Sequence, residues 1–589
     1  ERYRVERDKR IRPEGAGQYI EPAGRFAYFL EDPWVEAVER ESVDDEVTVA
    51  LVGGGFAGLL VGAALREAGI DDIRIIDSAG GVGGVWYWNR YPGAMCDTAA
   101  MVYLPLLEET GYMPSAKYVE GHEILGHARR IAEHWNLCDN ALFSTQITAL
   151  RWDDGASRWL IETNRGDRMR ARFVSMGTGP LNQPKLPGIP GIETFGRKIF
   201  HTSRWEWDWT GGTPEGDPMT NLADKRVGII GTGATGVQVV PRVARDAEEL
   251  FVFQRTPSSI DVRANHPIDP DEFAALEPGW QREWYLNFAT LQTGGFADDD
   301  FVKDGWTDIA KRIRDRVIEL MTDLQGTGEA FGPELILRAY EDSDDEKMNE
   351  IRARVDEVVE DQATAAALKP WYRQLCKRPC FHDEYLQAYN RPNVHLVDTD
   401  GQGVERIDES GVWVAGECYE LDCLVLASGF EVDIAPKARF DTVGLDGLTL
   451  EEHWAEGMRS LHGTYTAGFP NLFVVGLSQG ANLISNITNN HAETAQRVAA
   501  VVSHCVTSGA QRFEATAEAE QAWVDGLDVE GAGFIGNADC TPGYYNNEGR
   551  PAGRRERLNG ARYPEGPIAF FNLMHRWRTS GEFEGLAFS

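Results

Sequence analysis

The sequence predicts an α/β protein built around two strand–turn–helix–strand units. Three observations carry this. The string G-x-G-x-x-G occurs twice. Each time a β-rich run precedes it and a helix-forming run follows. Each unit's second strand then leads to a charged residue 24 positions after the first glycine. A chain of 589 residues leaves room for more than these two units.

Residues 1–45 are polar with scattered aromatics and are expected to lie on a domain as an N-terminal extension. Residues 46–185 open the first unit. Within them, 47–65 hold no charge, which meets the length test for a membrane span, but three consecutive glycines divide a β-rich half from a helix-forming half. Strand, glycine turn, helix is the better reading. Here Gly53, Gly55 and Gly58 form the first fingerprint, and the strand Ile73–Ile76 runs into Asp77. The three glycines permit, in turn, a tight turn, close approach of a pyrophosphate, and close packing of helix on strand. The helix N-terminus then faces the phosphates. A carboxylate at the Asp77 position accepts from ribose hydroxyls.

Residues 180–206 are rich in Pro and Gly and read as a connection. Residues 186–262 therefore hold the linker and the start of the second unit. Its fingerprint, Gly231 to Gly236, includes Thr232 and Gly233, with Gln238 on the following helix and Arg255-Thr256 after the second strand. The register that holds a carboxylate in the first unit holds a guanidinium in the second, which suits a 2′-phosphate. The chain is thus expected to hold two Rossmann-like dinucleotide-binding domains, one for FAD and one for NADPH. Residues 263–371 are acidic and helical in pattern, an insertion. Residues 372–429 return to the second domain, and 430–589 to the first, together with the substrate side. Gly177-Thr178-Gly179 and Ala427-Ser428-Gly429 each follow a strand and could return the chain beneath a cofactor.

The net charge of −35, from 58 basic and 93 acidic residues, argues against nucleic acid and anionic membrane as partners. It also requires any anionic cofactor to find local cations. The eight cysteines show no zinc spacing, so no metal is expected, and they are read as reduced cytosolic thiols. The first residues, ERYRVERDKR, contain no apolar stretch of the kind a signal peptide needs. The expectation is a cytoplasmic protein, monomeric or weakly homo-oligomeric.

Residues 83–97 read GGVWYWNRYPGAMCD, and 195–205 read FGRKIFHTSRW. With both glycine motifs in order, the chain resembles the type I Baeyer–Villiger monooxygenases over about residues 46–500. Gly84, Trp86, Tyr91-Pro92-Gly93 and Asp97 match one family fingerprint; His201 and Trp205 match the linker fingerprint. Gly196 stands one place early there, and Glu206 replaces the usual Pro or Asp. The N-terminal extension and the phrase LPLLEETGYMPSAKY look like the longer-chain subgroup that handles bulky ketones. Cyclopentadecanone and polycyclic ketone monooxygenases and the lactone-forming enzymes of pentalenolactone biosynthesis belong to it.

The resemblance implies a chemistry in which NADPH reduces FAD and reduced flavin takes up O2 as a C4a-peroxyflavin. The peroxide attacks a ketone, and rearrangement gives an ester or lactone. It further implies that Arg378 stabilises the anionic peroxide and adduct, since arginine keeps its proton at working pH. Asp97 would anchor Arg378, and Lys377 would join Arg255 on the 2′-phosphate. Val85, Trp86, Trp88 and Tyr103 would pack on the flavin, and 478–490 would line flavin and substrate. His201 and Trp205 would transmit motion rather than protons. Where related enzymes carry a loop tryptophan, residues 540–550 offer Tyr544 and Tyr545. A surface arginine at 378, a loop cap at Asp97 and plain core aromatics are the structural alternatives. At the level of function the competitors are an N- or S-oxygenating flavin monooxygenase, a non-catalytic nucleotide sensor and a disulfide reductase.

Overall fold

The computed structural model describes residues 1–179, 181, 183–324, 332–432, 440–476, 478–481, 486–529 and 540–589. Two sheets organise it. In the first, the strands Ile73–Ile76, Glu46–Val52, Arg168–Met176 and Leu472–Val474 run parallel. The antiparallel strands Ile147–Asp153 and Arg158–Thr163 extend the Arg168 side, and Asp441–Val443 closes that edge. Neighbouring strand residues serve opposite cores. Val49 and Leu51 join one buried cluster, Ala50 and Val52 another, as the period of two requires. The helix Phe56–Glu67 is buried along nearly its whole length because it lies between this sheet and the helix Ile487–Ser508. The uncharged stretch is thus a strand, a turn and a buried helix. No helix among the described residues is long and apolar enough to cross a membrane.

The second sheet is fully parallel, in the order Val394–Asp398, Glu249–Gln254, Arg226–Ile230, Cys423–Leu426, Lys198–His201. Both faces are covered, so its strands are near-continuous apolar runs such as ELFVFQ and CLVL. The two fingerprints sit alike in their sheets. A Cβ on Gly53 would collide with the Gly177 carbonyl oxygen, and one on Gly231 would collide with that of Ala427. The residue after each central strand therefore forms the floor of the turn.

The stretch 263–371 carries the helices Pro270–Ala274, Trp280–Gln292, Gly305–Leu324, Pro333–Val358 and Gln362–Leu368. The N-terminal residues form the helix Arg2–Asp8 and lie against the second unit. Arg2 stacks on Trp371 at 3.4 Å, Lys9 pairs with Asp400, and Arg10 Nε donates to the Arg255 carbonyl.

Candidate active site

One cavity of about 1430 Å³ runs between the two sheets and reaches both fingerprints. It exceeds the roughly 300–1,000 Å³ of a drug-sized pocket. Of the residues singled out in the sequence, Gly53, Gly55, Asp77, Val85, Trp86, Trp88, Asp97 and Tyr103 line it from the first unit. Thr232, Gly233, Gln238, Arg255, Thr256, Lys377 and Arg378 line it from the second. Gly58 and Gly236 do not. Cβ atoms there would collide with the carbonyl oxygens of Gly53 and Gly231, so these glycines close the helix onto its own turn.

The string 83–97 bridges the two units. At its start, Gly84 meets the first fingerprint backbone to backbone: a Cβ on Gly84 would lie 2.7 Å from Gly55 Cα. In its middle, Gly93 packs on the second unit's helix, where a Cβ would lie 2.6 Å from the Gln238 carbonyl oxygen. Tyr91 Oη donates to Gln238 Oε1 at 2.7 Å, and Gln238 Nε2 donates to the Met95 carbonyl at 2.7 Å. At its end, Asp97 receives Arg378 in a two-point ion pair, Nε to Oδ2 and Nη2 to Oδ1, each 2.7 Å. Burial works against the Arg378 charge, but the attraction and hydrogen bonds of Asp97 outweigh it and hold its pKa above the ordinary value. The guanidinium carbon also lies 5.1 Å from the ring centre of Trp306, at the head of the helix Gly305–Leu324. The insertion therefore braces the Arg378 guanidinium through Trp306, which does not itself line the cavity, a contribution no sequence motif announced.

On the first unit, Gly54 N–H donates to Asp77 Oδ2 at 2.6 Å and Ala79 N–H to Oδ1 at 2.8 Å. Burial raises the Asp77 pKa, and these two donors oppose the rise. Trp86 Nε1 donates to Tyr103 Oη at 2.8 Å, which sets the two rings edge to face. Trp88 is covered by the Arg204 guanidinium at 3.8 Å.

On the second unit, Thr232 Oγ1 donates to the Thr256 carbonyl at 2.8 Å, while the buried Thr256 Oγ1 has no hydrogen-bond partner among the described residues. Arg255 Nη1 donates to Gln18 Oε1 at 2.5 Å, and Arg255 Nη2 lies 3.7 Å from Glu548. Burial, then the like charge of Arg255, pull the Lys377 pKa down to about 8. Gln18 and Glu548 were not legible as site residues, because they come from segments more than five hundred positions apart that carry no motif.

In the linker, His201 is fully buried. Ser203 N–H donates to its Nδ1 at 3.2 Å, which leaves Nε2–H to donate to the Gly429 carbonyl at 3.0 Å. Burial and Arg204 pull its pKa down to about 3, so it stays neutral and shuttles no proton at working pH. Trp205 is also fully buried, with Nε1 on Thr210 Oγ1. Lys198 pairs with Glu206, the residue standing where the family usually has Pro or Asp.

Against the expectation of eight reduced thiols, Cys376 and Cys540 form a disulfide with Cα atoms 5.2 Å apart. They stand 164 positions apart, so only the tertiary fold brings them together. Neither sequence-adjacent pair is bonded: Cys380, Cys418 and Cys423 are free. The bond fastens the strip 376–378 to the loop that carries Tyr544 and Tyr545, both of which line the cavity. Within 478–490, Ile487 and Thr488 line the cavity as well, while residues 482–485 lie outside the described residues.

The family described as pyridine nucleotide-disulphide oxidoreductase matches residues 50–283. A pentalenolactone D synthase of Streptomyces exfoliatus is 48% identical over 100% of this chain and 99% of its own length. A Baeyer–Villiger monooxygenase of Streptomyces coelicolor is 48% identical over 100% and 96%. The solved polycyclic ketone monooxygenase of Thermothelomyces thermophila superposes with a TM-score of 0.90 at 39% identity, covering 100% of this chain and 98% of its own. On these likenesses and on the architecture above, the chain belongs to the Baeyer–Villiger monooxygenases, flavin-dependent enzymes that insert oxygen beside a ketone carbonyl.

Proposed function

We propose that the chain holds FAD at the Gly53–Gly58 turn and NADPH at the Gly231–Gly236 turn, and converts a bulky cyclic or polycyclic ketone to a lactone. The observation that carries this is the Arg378–Asp97 pair, set in a cavity that both turns line. The residues fit the cofactors. Both turns carry glycine at their first and third positions, so no side chain covers the backbone at Gly53, Gly55, Gly231 and Gly233, and the buried Thr256 hydroxyl lacks a partner among the described residues. Per turnover a ketone, O2, NADPH and a proton give a lactone, water and NADP+. The bound flavin supplies the passage of two electrons from NADPH to O2.

The chain's own residues do the rest. Gly53, Gly55 and the helix behind them receive the FAD pyrophosphate, and Asp77 accepts from its ribose. Trp86, Trp88 and Tyr103 form the aromatic wall of the flavin site, with the aliphatic Val85 beside them. Thr232, Gly233 and Gln238 receive NADPH, with Arg255, Thr256 and Lys377 at the 2′-phosphate. Arg378 presents a permanent positive charge to the oxygen anion that develops at the ketone carbon. Asp97 fixes the plane of that guanidinium and keeps it from swinging away. The relatedness to the pentalenolactone D synthase and the polycyclic ketone monooxygenase supports a bulky ring ketone as substrate.

The test compares wild type with Arg378→Ala, offering cyclic, macrocyclic and terpenoid ketones with NADPH and reading products by mass. Wild type adds one oxygen atom to a bulky ring ketone. The variant stays yellow and is still reduced by NADPH, but makes product at least about a hundredfold more slowly. Undiminished lactone formation by the variant removes Arg378 from the mechanism. Oxidation of amines or sulfides alone by wild type favours the N- or S-oxygenating reading.

A further inference from the structure

The segment 10–19 does more than lie on the second unit. Arg12 lines the cavity, and its Nη2 donates to the Gln402 carbonyl; its other guanidinium nitrogens make no hydrogen bond among the described residues. A Cβ built on Gly403 would touch Arg12 Nη2 at 2.7 Å and Arg255 Cδ at 3.9 Å, so the two arginines flank one point of the backbone. Gln18 from the same segment holds Arg255 Nη1, and Tyr19 Oη lies 3.4 Å from Glu548. Lys377 stands within the electrostatic reach of Arg255 and Glu548. Arg12, Arg255 and Lys377 thus gather after the second strand of the second unit, with Arg10, paired to Glu6, close by; they are faced by Glu548 and, beside Arg12, by Glu14. Partial burial and the like charge of Arg255 both press on the Arg12 guanidinium. Placing cations so close together costs free energy, and a dianion between them relieves it.

We propose that Arg12 is a third phosphate-binding cation, which completes the 2′-phosphate subsite from the N-terminal segment and sharpens the preference for NADPH over NADH. Gln18 is a positioning residue that aims Arg255. This rests on the assignment of Arg255 to the 2′-phosphate. It gives residues 10–19 a role in cofactor selection, distinct from shaping the ketone pocket.

The test measures binding of 2′,5′-ADP and of 5′-ADP by calorimetry, without turnover, in wild type, Arg12→Gln, Arg12→Lys and Arg255→Ala. Arg12→Gln removes the charge and shortens the side chain, so that it no longer reaches the phosphate position. It is expected to weaken 2′,5′-ADP roughly ten- to a hundredfold, the size of one charge-assisted hydrogen bond, and to leave 5′-ADP unchanged. Arg12→Lys should recover most of the loss. In parallel, KM should rise for NADPH and not for NADH. The proposal falls if Arg12→Gln weakens both nucleotides alike, or neither, while Arg255→Ala selectively weakens 2′,5′-ADP. If Arg255→Ala itself fails to discriminate, the assignment of Arg255 fails and takes the proposal with it. Should Arg12→Gln unfold, Arg12→Met, uncharged and of similar stem length, replaces it under the same criteria: a selective loss for 2′,5′-ADP supports the proposal, and an equal loss for both nucleotides or no loss overturns it.

Discussion

At neutral pH Lys377 carries its charge, but its pKa of about 8 places it nearer to losing that charge than any exposed lysine. Below about 8 the ammonium is charged and attracts the 2′-phosphate; above, it is neutral and only a weak donor. The phosphate's own second ionisation, near pH ~6, is complete well below that window. KM for NADPH should therefore rise roughly three- to tenfold as pH passes upward through about 8, with little change for NADH. In Lys377→Arg the alkaline rise should vanish, because a guanidinium does not titrate there. Steady-state KM between neutral and alkaline pH checks this, and a wild-type profile identical for both nucleotides would remove Lys377 from the phosphate. Arg378 shows the opposite solution. Its charge is held by the two oxygens of Asp97 rather than left to the solvent, so no pH dependence is expected from it.

Among the elements, the loop 540–550 combines irregular backbone with attachments to the site. Its Asn547 and Glu548 have positive φ, its Glu548 meets Arg255, and its Cys540 is bonded to the strip that carries Lys377 and Arg378. Closing a loop of 164 positions removes much freedom from the unfolded chain, typically worth about 2–4 kcal/mol. Cys540→Ser, or reductant on wild type, should lower the melting temperature measurably and raise KM for NADPH by loosening the loop. Differential scanning fluorimetry with and without dithiothreitol checks it; identical curves would mean the loop is not held by this bond. The sheets and fingerprints were legible in the sequence because their signals are local: a glycine spacing, a period of two, a charged strand end. Trp306, Gln18, Glu548 and the disulfide were not, since each acts on residues far along the chain and no short-range pattern demands it. The tryptophan at 306 reads as one more core aromatic until the fold sets it against Arg378.

Taken whole, the molecule is interleaved rather than strung out. The first sheet takes Leu472–Val474 against Val174–Met176, and Asp441–Val443 against Ala149–Arg151, after the entire second unit has intervened. The helix Phe56–Glu67 is likewise covered by Ile487–Ser508. A fragment ending at residue 430 holds both glycine fingerprints yet should aggregate and retain no flavin, because an apolar strand face and a buried helix are left bare. A soluble, yellow, monomeric fragment on gel filtration would refute that. The same interleaving sets a timetable for biosynthesis. Between the emergence of Met176 and of Leu472 the ribosome adds 296 residues. At about 5–20 residues per second that takes roughly 15–60 s. For that interval the nascent first sheet waits with an unpaired edge, so the chain's dependence on chaperones falls in the middle of translation rather than at its end.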